Sequence, residues 1–133
     1  EKDGAHKSEK WRQVAIEAIK QCGALWLPQI ESPVTPTQFL ARQETIELPL
    51  LASLLGESRH PRKCFEEFHG THGRIPGSAA VWIGPEGDFT SSETELILTS
   101  GAMPITLGPQ VLRTETAALY CLSVVQYELQ AVR

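Results

Sequence analysis

The sequence predicts an α/β protein with a mostly parallel sheet flanked by helices, and two observations support this. Short apolar runs alternate along the chain with longer segments whose apolar residues recur at helical spacing. Two segments that contain Gly-Pro, Ile83–Thr90 and Leu107–Ala117, each follow an apolar run and precede a helix-like run. We therefore expect both to be strand-to-helix loops at one edge of the sheet, where open α/β sheets bind ligands.

The first half of the chain is predicted to contain two helices, Glu9–Cys22 and a short one from Thr35 to about Arg42, and one buried strand, Leu48–Leu54. Ser8 is expected to cap the first helix and Gly23 to end it. Cys22 falls on the apolar side of that helix, where a free cysteine usually behaves as a small buried residue.

The second half is predicted to contain the following elements in order: a short helix at Lys63–Phe68, a loop at His69–Gly77, a strand at Ala79–Ile83, a helix from the capping box Thr90–Glu93 to about Ser100, a strand at Ile105–Leu107 and a final helix capped by Thr114. Glycines at 84, 87 and 108 are expected to let the backbone approach a ligand and to adopt positive φ.

The final helix is predicted to carry an apolar stripe that is wider than one sheet face requires, which favours a partner surface. Its residues are Ala118, Leu122, Val125 and Leu129, with Ala117, Cys121 and Val124 beside them.

Composition limits the classes of function. A length of 133 residues fits one domain. The net charge of −4 and the pI of about 5.6 argue against broad, non-specific nucleic-acid binding. Two local basic groups, at 2–12 and 59–63, are more simply interpreted as solvated faces.

No apolar stretch reaches the roughly 18 residues of a membrane span, and no secretory signal is visible. Three widely spaced cysteines favour a reducing compartment, hence the cytoplasm.

Several common sites are not predicted. The chain has no phosphate loop, no Gly-x-Gly-x-x-Gly after a strand and no Gly-x-Ser-x-Gly. His69 and His72 lack the further ligands that zinc needs, so we expect no metal.

Two charged residues remain as candidates, and each has two interpretations. Glu86 is either a solvent-facing turn residue or a carboxylate held at a pocket by a rigid turn. Arg113 is either a surface partner of Glu115 or a guanidinium at the mouth of the crevice, placed to meet an anionic substrate.

Taken together, Ile-Gly-Pro-Glu-Gly at 83–87 and Leu-Gly-x-x-Val-Leu-Arg-Thr-Glu-Thr-Ala at 107–117 resemble the RsmE-type ribosomal RNA methyltransferases of the SPOUT superfamily. Trp11–Ala18, Gln21–Gly23 and Pro28–Ile30 are also similar to that family. The resemblance implies a C-terminal trefoil knot, a homodimer and S-adenosylmethionine (SAM) as cofactor. It also implies methylation of the N3 position of a uridine in small-subunit ribosomal RNA.

The resemblance implies roles for particular residues. Arg113 would stabilise negative charge on the uracil ring, while Glu115 or Glu86 would accept the proton or hold Arg113. The implied cofactor-binding residues are Leu54, Ile83, Gly84, Gly87, Leu107, Gly108, Val111, Leu112 and Thr116.

The chain also departs from the family pattern. We expect residues 1–133 to be a methyltransferase domain without the N-terminal PUA-like domain and the first strand and helix that the family pattern would place before it. Asp88 stands where the family commonly has a second glycine, and it adds a negative charge near the pocket. Two alternatives stay open: a SPOUT methyltransferase acting on another RNA such as tRNA, and a non-catalytic module for dimerisation or RNA binding.

Overall fold

The structure is a computed structural model that describes residues 2–54 and 57–130. It divides into two compact units, Glu1–Phe39 and Leu40–Arg133. The first unit contains helix α1 (Lys2–Cys22). The short helix α2 (Pro36–Leu40) includes the point in the sequence where the first unit ends and the second begins. The second unit contains the sheet and three further helices. Among the described residues, none of the helices combines the length and the hydropathy that a membrane span requires.

Helix α1 begins earlier than predicted. Ser8 lies inside the helix and its hydroxyl donates to the carbonyl of Gly4 at 2.9 Å, so the prediction of Ser8 as N-cap was wrong. A serine inside a helix satisfies its hydroxyl in this way, through the carbonyl four residues earlier. Gly23 ends the helix as predicted, with φ of 71°. Cys22 is exposed rather than buried.

Three parallel strands form the sheet, which confirms the predicted α/β class. They are β1 (Leu48–Ala52), β2 (Ala79–Trp82) and β3 (Met103–Ile105), in the order β2-β1-β3. Strand β3 begins two residues before the predicted Ile105–Leu107 segment. It contains Pro104, which has no N–H to donate to a neighbouring strand but whose carbonyl accepts from the Arg59 N–H at 3.0 Å.

Helix α3 (Pro61–His72) is longer than the predicted Lys63–Phe68. His60 caps its start by accepting from the Arg62 N–H at 3.3 Å, and Gly73 ends it with φ of 68°. The loop predicted from His69 was therefore wrong over its first four residues. Stacking supports this extra turn, because the His72 ring lies 4.0 Å from that of Phe68.

The two remaining helices are α4 (Ser91–Thr99) and α5 (Thr114–Gln130). The capping box predicted at the start of α4 is confirmed, since the side chain of Thr90 and that of Glu93 each accept from the other's backbone N–H. At the start of α5 the N-cap position belongs to Arg113, whose carbonyl accepts from the Ala117 N–H at 2.8 Å. Thr114 is the first helical residue, so its prediction as the cap was wrong.

The core lies on both faces of the sheet, as alternation along β1 requires. On one face, Leu48 and Leu50 pack in a cluster with residues of α3 and β3, and Val125 and Leu129 of α5 pack against it. On the other face, Leu51 packs with Ile97 of α4. Helices thus cover both faces and leave the loops after the three strands together at one edge.

Candidate functional site

A cavity of about 520 Å³ opens at the carboxyl edge of the sheet. All three strand ends contribute to it, as the parallel order of the strands requires. The lining residues come from the segments 52–54, 83–88 and 107–114, and from Ala117 in the first turn of α5.

The loop after β2 is a tight turn built around Gly84 and Asp88. The Asp88 N–H donates to the carbonyl of Pro85 at 2.8 Å, and the Asp88 carboxylate accepts from the Phe89 N–H at 2.8 Å. A Cβ on Gly84 would lie 2.8 Å from an Asp88 carboxylate oxygen, so this position requires glycine for packing within the loop. Positive φ occurs at Asp88 (63°) rather than at Gly84 or Gly87, which corrects that expectation.

The loop after β3 depends on Gly108. Its φ of 104° is a conformation that side chains rarely adopt, as predicted for this glycine. The Gly108 N–H donates to the Thr106 hydroxyl oxygen at 3.2 Å. A Cβ on Gly108 would meet no atom within 4 Å, so open space adjoins the backbone there.

One hydrogen bond joins the two loops. The Thr114 hydroxyl donates to the carbonyl of Gly84 at 3.1 Å. This contact explains why Thr114 is not the helix cap: its side chain turns to the neighbouring loop. The start of α5, where Arg113 sits, is thereby tied to the turn that carries Glu86.

Three charged residues, Glu86, Asp88 and Arg113, line the cavity. Within residues 2–54 and 57–130, none of them forms an ion pair. The interpretation of Arg113 as a surface partner of Glu115 is therefore not what the structure shows. Glu115 is exposed and does not line the cavity.

Most of the predicted site residues come together here. Those that line the cavity are Leu54, Ile83, Gly84, Glu86, Leu107, Gly108, Val111, Leu112 and Arg113. Gly87, Glu115 and Thr116 lie outside its wall, and their roles stay predictions. Asp88 and Thr114 also line the cavity. The sequence placed the negative charge of Asp88 near the pocket without giving it a role, and it predicted Thr114 only as a helix cap.

The other titratable groups lie elsewhere. Burial raises the pKa of the Cys64 and Cys121 thiols, and neither residue lines the cavity. The His72 Nδ1 lies 3.0 Å from the Phe68 carbonyl oxygen. The described residues contain no group of three or more His, Cys, Asp or Glu side chains that could hold a metal ion.

At the opposite, amino edge of the sheet, Glu47 forms a clamp. Its carboxylate accepts from the Arg74 guanidinium at 2.7 and 2.9 Å and from the Gly77 N–H at 2.6 Å. The hydrogen bonds from Arg74 and Gly77 lower the pKa of Glu47 to about 2. This clamp fastens the segment before β2 to the start of β1.

Comparison with known proteins identifies relatives of the whole chain. A family model described as an RNA methyltransferase domain matches residues 1–126. The ribosomal RNA small subunit methyltransferases E of Synechocystis (28% identical, 98% of this chain, 42% of the relative) and Bacillus subtilis (29%, 100% and 52%) are similar. A Legionella pneumophila protein described as a methyltransferase, solved with SAM bound, superposes with a TM-score of 0.79 at 35% identity, over 94% of this chain and 48% of that one. The chain thus spans about half the length of these relatives.

Proposed function

The chain belongs to the RNA methyltransferase domain family, and from that premise we propose that it is a SAM-dependent methyltransferase for the N3 position of a uridine in small-subunit ribosomal RNA. One observation carries the proposal: the carboxyl-edge cavity is lined by Arg113, which forms no ion pair in the described part of the chain. The names and bound ligand of the relatives support methylation of small-subunit ribosomal RNA and SAM as the cofactor, and the choice of uridine N3 rests on the resemblance of the motifs.

The residues of the cavity suit such a cofactor. Its volume of about 520 Å³ falls in the range of roughly 300–1,000 Å³ that small-molecule sites occupy. The lining is largely apolar, and the open space beside Gly108 lets a ligand approach the main chain. When bound, the cofactor supplies an electrophilic methyl group on a sulfonium sulfur. The residues that would hold it are Leu54, Ile83, Gly84, Leu107, Gly108, Val111 and Leu112.

Arg113 and Glu86 carry the proposed chemistry. The N3 of uridine holds a proton at neutral pH and becomes a nucleophile only when that proton leaves, so the chain must favour the deprotonated base. The guanidinium of Arg113 stabilises the negative charge that develops on the uracil ring. We assign the proton acceptor to Glu86 rather than Glu115, because Glu86 lines the cavity and Glu115 does not.

Further features follow from the same proposal. We propose that residues 1–133 belong to one SPOUT methyltransferase domain with a C-terminal trefoil knot, acting in the cytoplasm. Tracing the backbone path in a crystal structure tests the knot: a chain that passes through no loop contradicts it.

We also propose a homodimer that uses helix α5. Leu119 and Leu122 on this helix are 69% and 65% exposed, while Ala117 and Cys121 are buried. The apolar surface of α5 therefore exceeds what its own sheet covers. Sedimentation at micromolar concentration should give twice the mass of one chain, and a monomer would contradict this proposal.

Calorimetry with SAM and methyl-transfer assays test the function. We expect binding of one SAM per chain and transfer of labelled methyl to small-subunit ribosomal RNA. Transfer to tRNA instead would support action on another RNA. Absence of SAM binding by a folded chain would contradict the enzyme and favour a non-catalytic module.

A further inference from the structure

Asp88 holds an unusual conformation at the wall of the cavity. It is one of two non-glycine residues with positive φ in the described part of the chain, the other being Gln43. A side chain in this region is uncommon, although aspartate tolerates it better than most residues. The bond from the Phe89 N–H to its carboxylate keeps the side chain in place.

The Asp88 carboxylate is held by the Phe89 N–H and by its packing against Gly84. It packs directly over the Cα of Gly84, where even a methyl group would collide with it. Within residues 2–54 and 57–130 it forms no ion pair with a Lys, Arg or His. The one hydrogen bond that its side chain makes in the same part of the chain is the one from the Phe89 N–H. Because Asp88 lines the cavity, its charge can act on a ligand there.

The cavity wall therefore has an excess of negative charge. Glu86 and Asp88 contribute carboxylates and Arg113 contributes the opposing guanidinium. A ligand with a positive charge gains from this imbalance, whereas a neutral ligand of the same shape does not.

We infer that Asp88 is a specificity-determining residue that makes the cavity prefer the positively charged SAM over its demethylated product, S-adenosylhomocysteine. This inference rests on the proposed function. The two molecules differ by one methyl group and by one positive charge. When the deprotonated uridine nitrogen bonds to the methyl carbon, the electron pair of the broken S–C bond stays on sulfur, and the sulfonium becomes a neutral sulfide. Loss of that charge removes the attraction to Asp88 and favours exchange of product for fresh cofactor.

The test compares the two ligands in Asp88→Asn. Asparagine has nearly the same shape, tolerates positive φ and can still accept from the Phe89 N–H, so the change removes mainly charge. Calorimetry should show that the ratio of the S-adenosylhomocysteine Kd to the SAM Kd falls about three- to tenfold, as expected for one charge pair in a partly solvated site. Raising the salt concentration should reduce the preference of the parent more than that of the variant.

Two further variants keep the test decisive. Glu66→Gln removes the same charge from the exposed face of α3, outside the cavity, and should leave the ratio unchanged. Asp88→Gly removes the carboxylate and the unusual φ together and should reproduce the Asp88→Asn ratio, even if Asp88→Asn folds poorly.

The outcomes separate the inference from the function. A parent chain that binds SAM, with Asp88→Asn and Asp88→Gly ratios equal to its own, overturns the role of Asp88 alone. An equal change of the Kd ratio in Glu66→Gln also overturns it, since the net charge of the chain would then explain the preference without Asp88. A folded parent that binds neither ligand contradicts the proposed function and this inference with it.

Discussion

At the amino edge of the sheet Glu47 is fully engaged by Arg74 and Gly77. At the carboxyl edge Glu86 and Arg113 form no ion pair in the described part of the chain. The same sheet thus uses charge in two ways. At one edge charged groups satisfy each other and hold loops together, and at the other they stay available to a ligand. Substitutions at the two edges should accordingly affect different measurements.

The largest expected effect is on catalysis at the carboxyl edge. Arg113→Ala should lower methyl transfer to ribosomal RNA by about a hundredfold to a thousandfold, because one donor to a developing negative charge is lost. SAM binding measured by calorimetry should persist. Arg59→Ala removes an exposed arginine that pairs with Glu67 and serves as the matched control. If the methyl-transfer rate of Arg113→Ala stays within a few-fold of the control, Arg113 takes no part in catalysis.

The turn at Gly84 should be the next most sensitive point. Gly84→Ala places a methyl group 2.8 Å from the Asp88 carboxylate and 3.1 Å from the Phe89 nitrogen. Such overpacking typically costs about 1–3 kcal/mol, so both the unfolding free energy and SAM affinity should fall.

Gly87→Ala is the control for the effect on stability, because a Cβ there would meet no atom within 4 Å and its φ is not in the left-handed region. Denaturant unfolding compares the two variants, and calorimetry measures SAM binding by Gly84→Ala. Equal stability of the two would mean that the turn adapts more easily than its packing indicates.

The link between the two loops should have a smaller effect. Thr114→Val removes the hydroxyl that donates to the Gly84 carbonyl while keeping the β-branched shape. Loss of one such bond costs about 0.5–1.5 kcal/mol in unfolding free energy. Thr116→Val, at an exposed position of the same helix turn, controls for helix propensity. If both substitutions destabilise the chain equally, the hydrogen bond between the loops contributes nothing.

The amino-edge clamp should give the smallest effect, visible in its pH dependence. Because the pKa of Glu47 is lowered from 4.5 to about 2 in the folded chain, its contribution is present above pH 4.5 and disappears as pH falls toward 2. The clamp is exposed, so solvent screening keeps the effect modest.

The melting temperature of Glu47→Gln should therefore lie below that of the parent at pH 7 and approach it near pH 2. Glu95→Gln, an exposed change on α4, should show no such convergence. A Glu47→Gln difference that is independent of pH would mean that the carboxylate charge does not stabilise the clamp. Methyl transfer at pH 7 should be unaffected by Glu47→Gln, in contrast to Arg113→Ala.

The sequence predicted those features whose physical cause is local. The capping box Thr90–Glu93 works through bonds within four residues, and Gly23 ends α1 through its own backbone freedom. The apolar runs at 48–54 and 79–83 located β1 and β2 because a buried strand needs continuous apolar character. The convergence of Gly84, Gly108 and Arg113 followed from parallel strands that share one edge.

The sequence alone thus determined the α/β class, the order of the main elements and the edge at which the cavity lies. Only the tertiary structure decided how the loops use their side chains. Thr114 looked like a helix cap, but a carbonyl from the Gly84 turn offers its hydroxyl a partner 30 positions away in the chain. The positive φ belongs to Asp88 rather than Gly87, and α3 extends to His72 through stacking on Phe68. Such outcomes depend on which groups meet when distant segments pack, a property that local pattern does not contain.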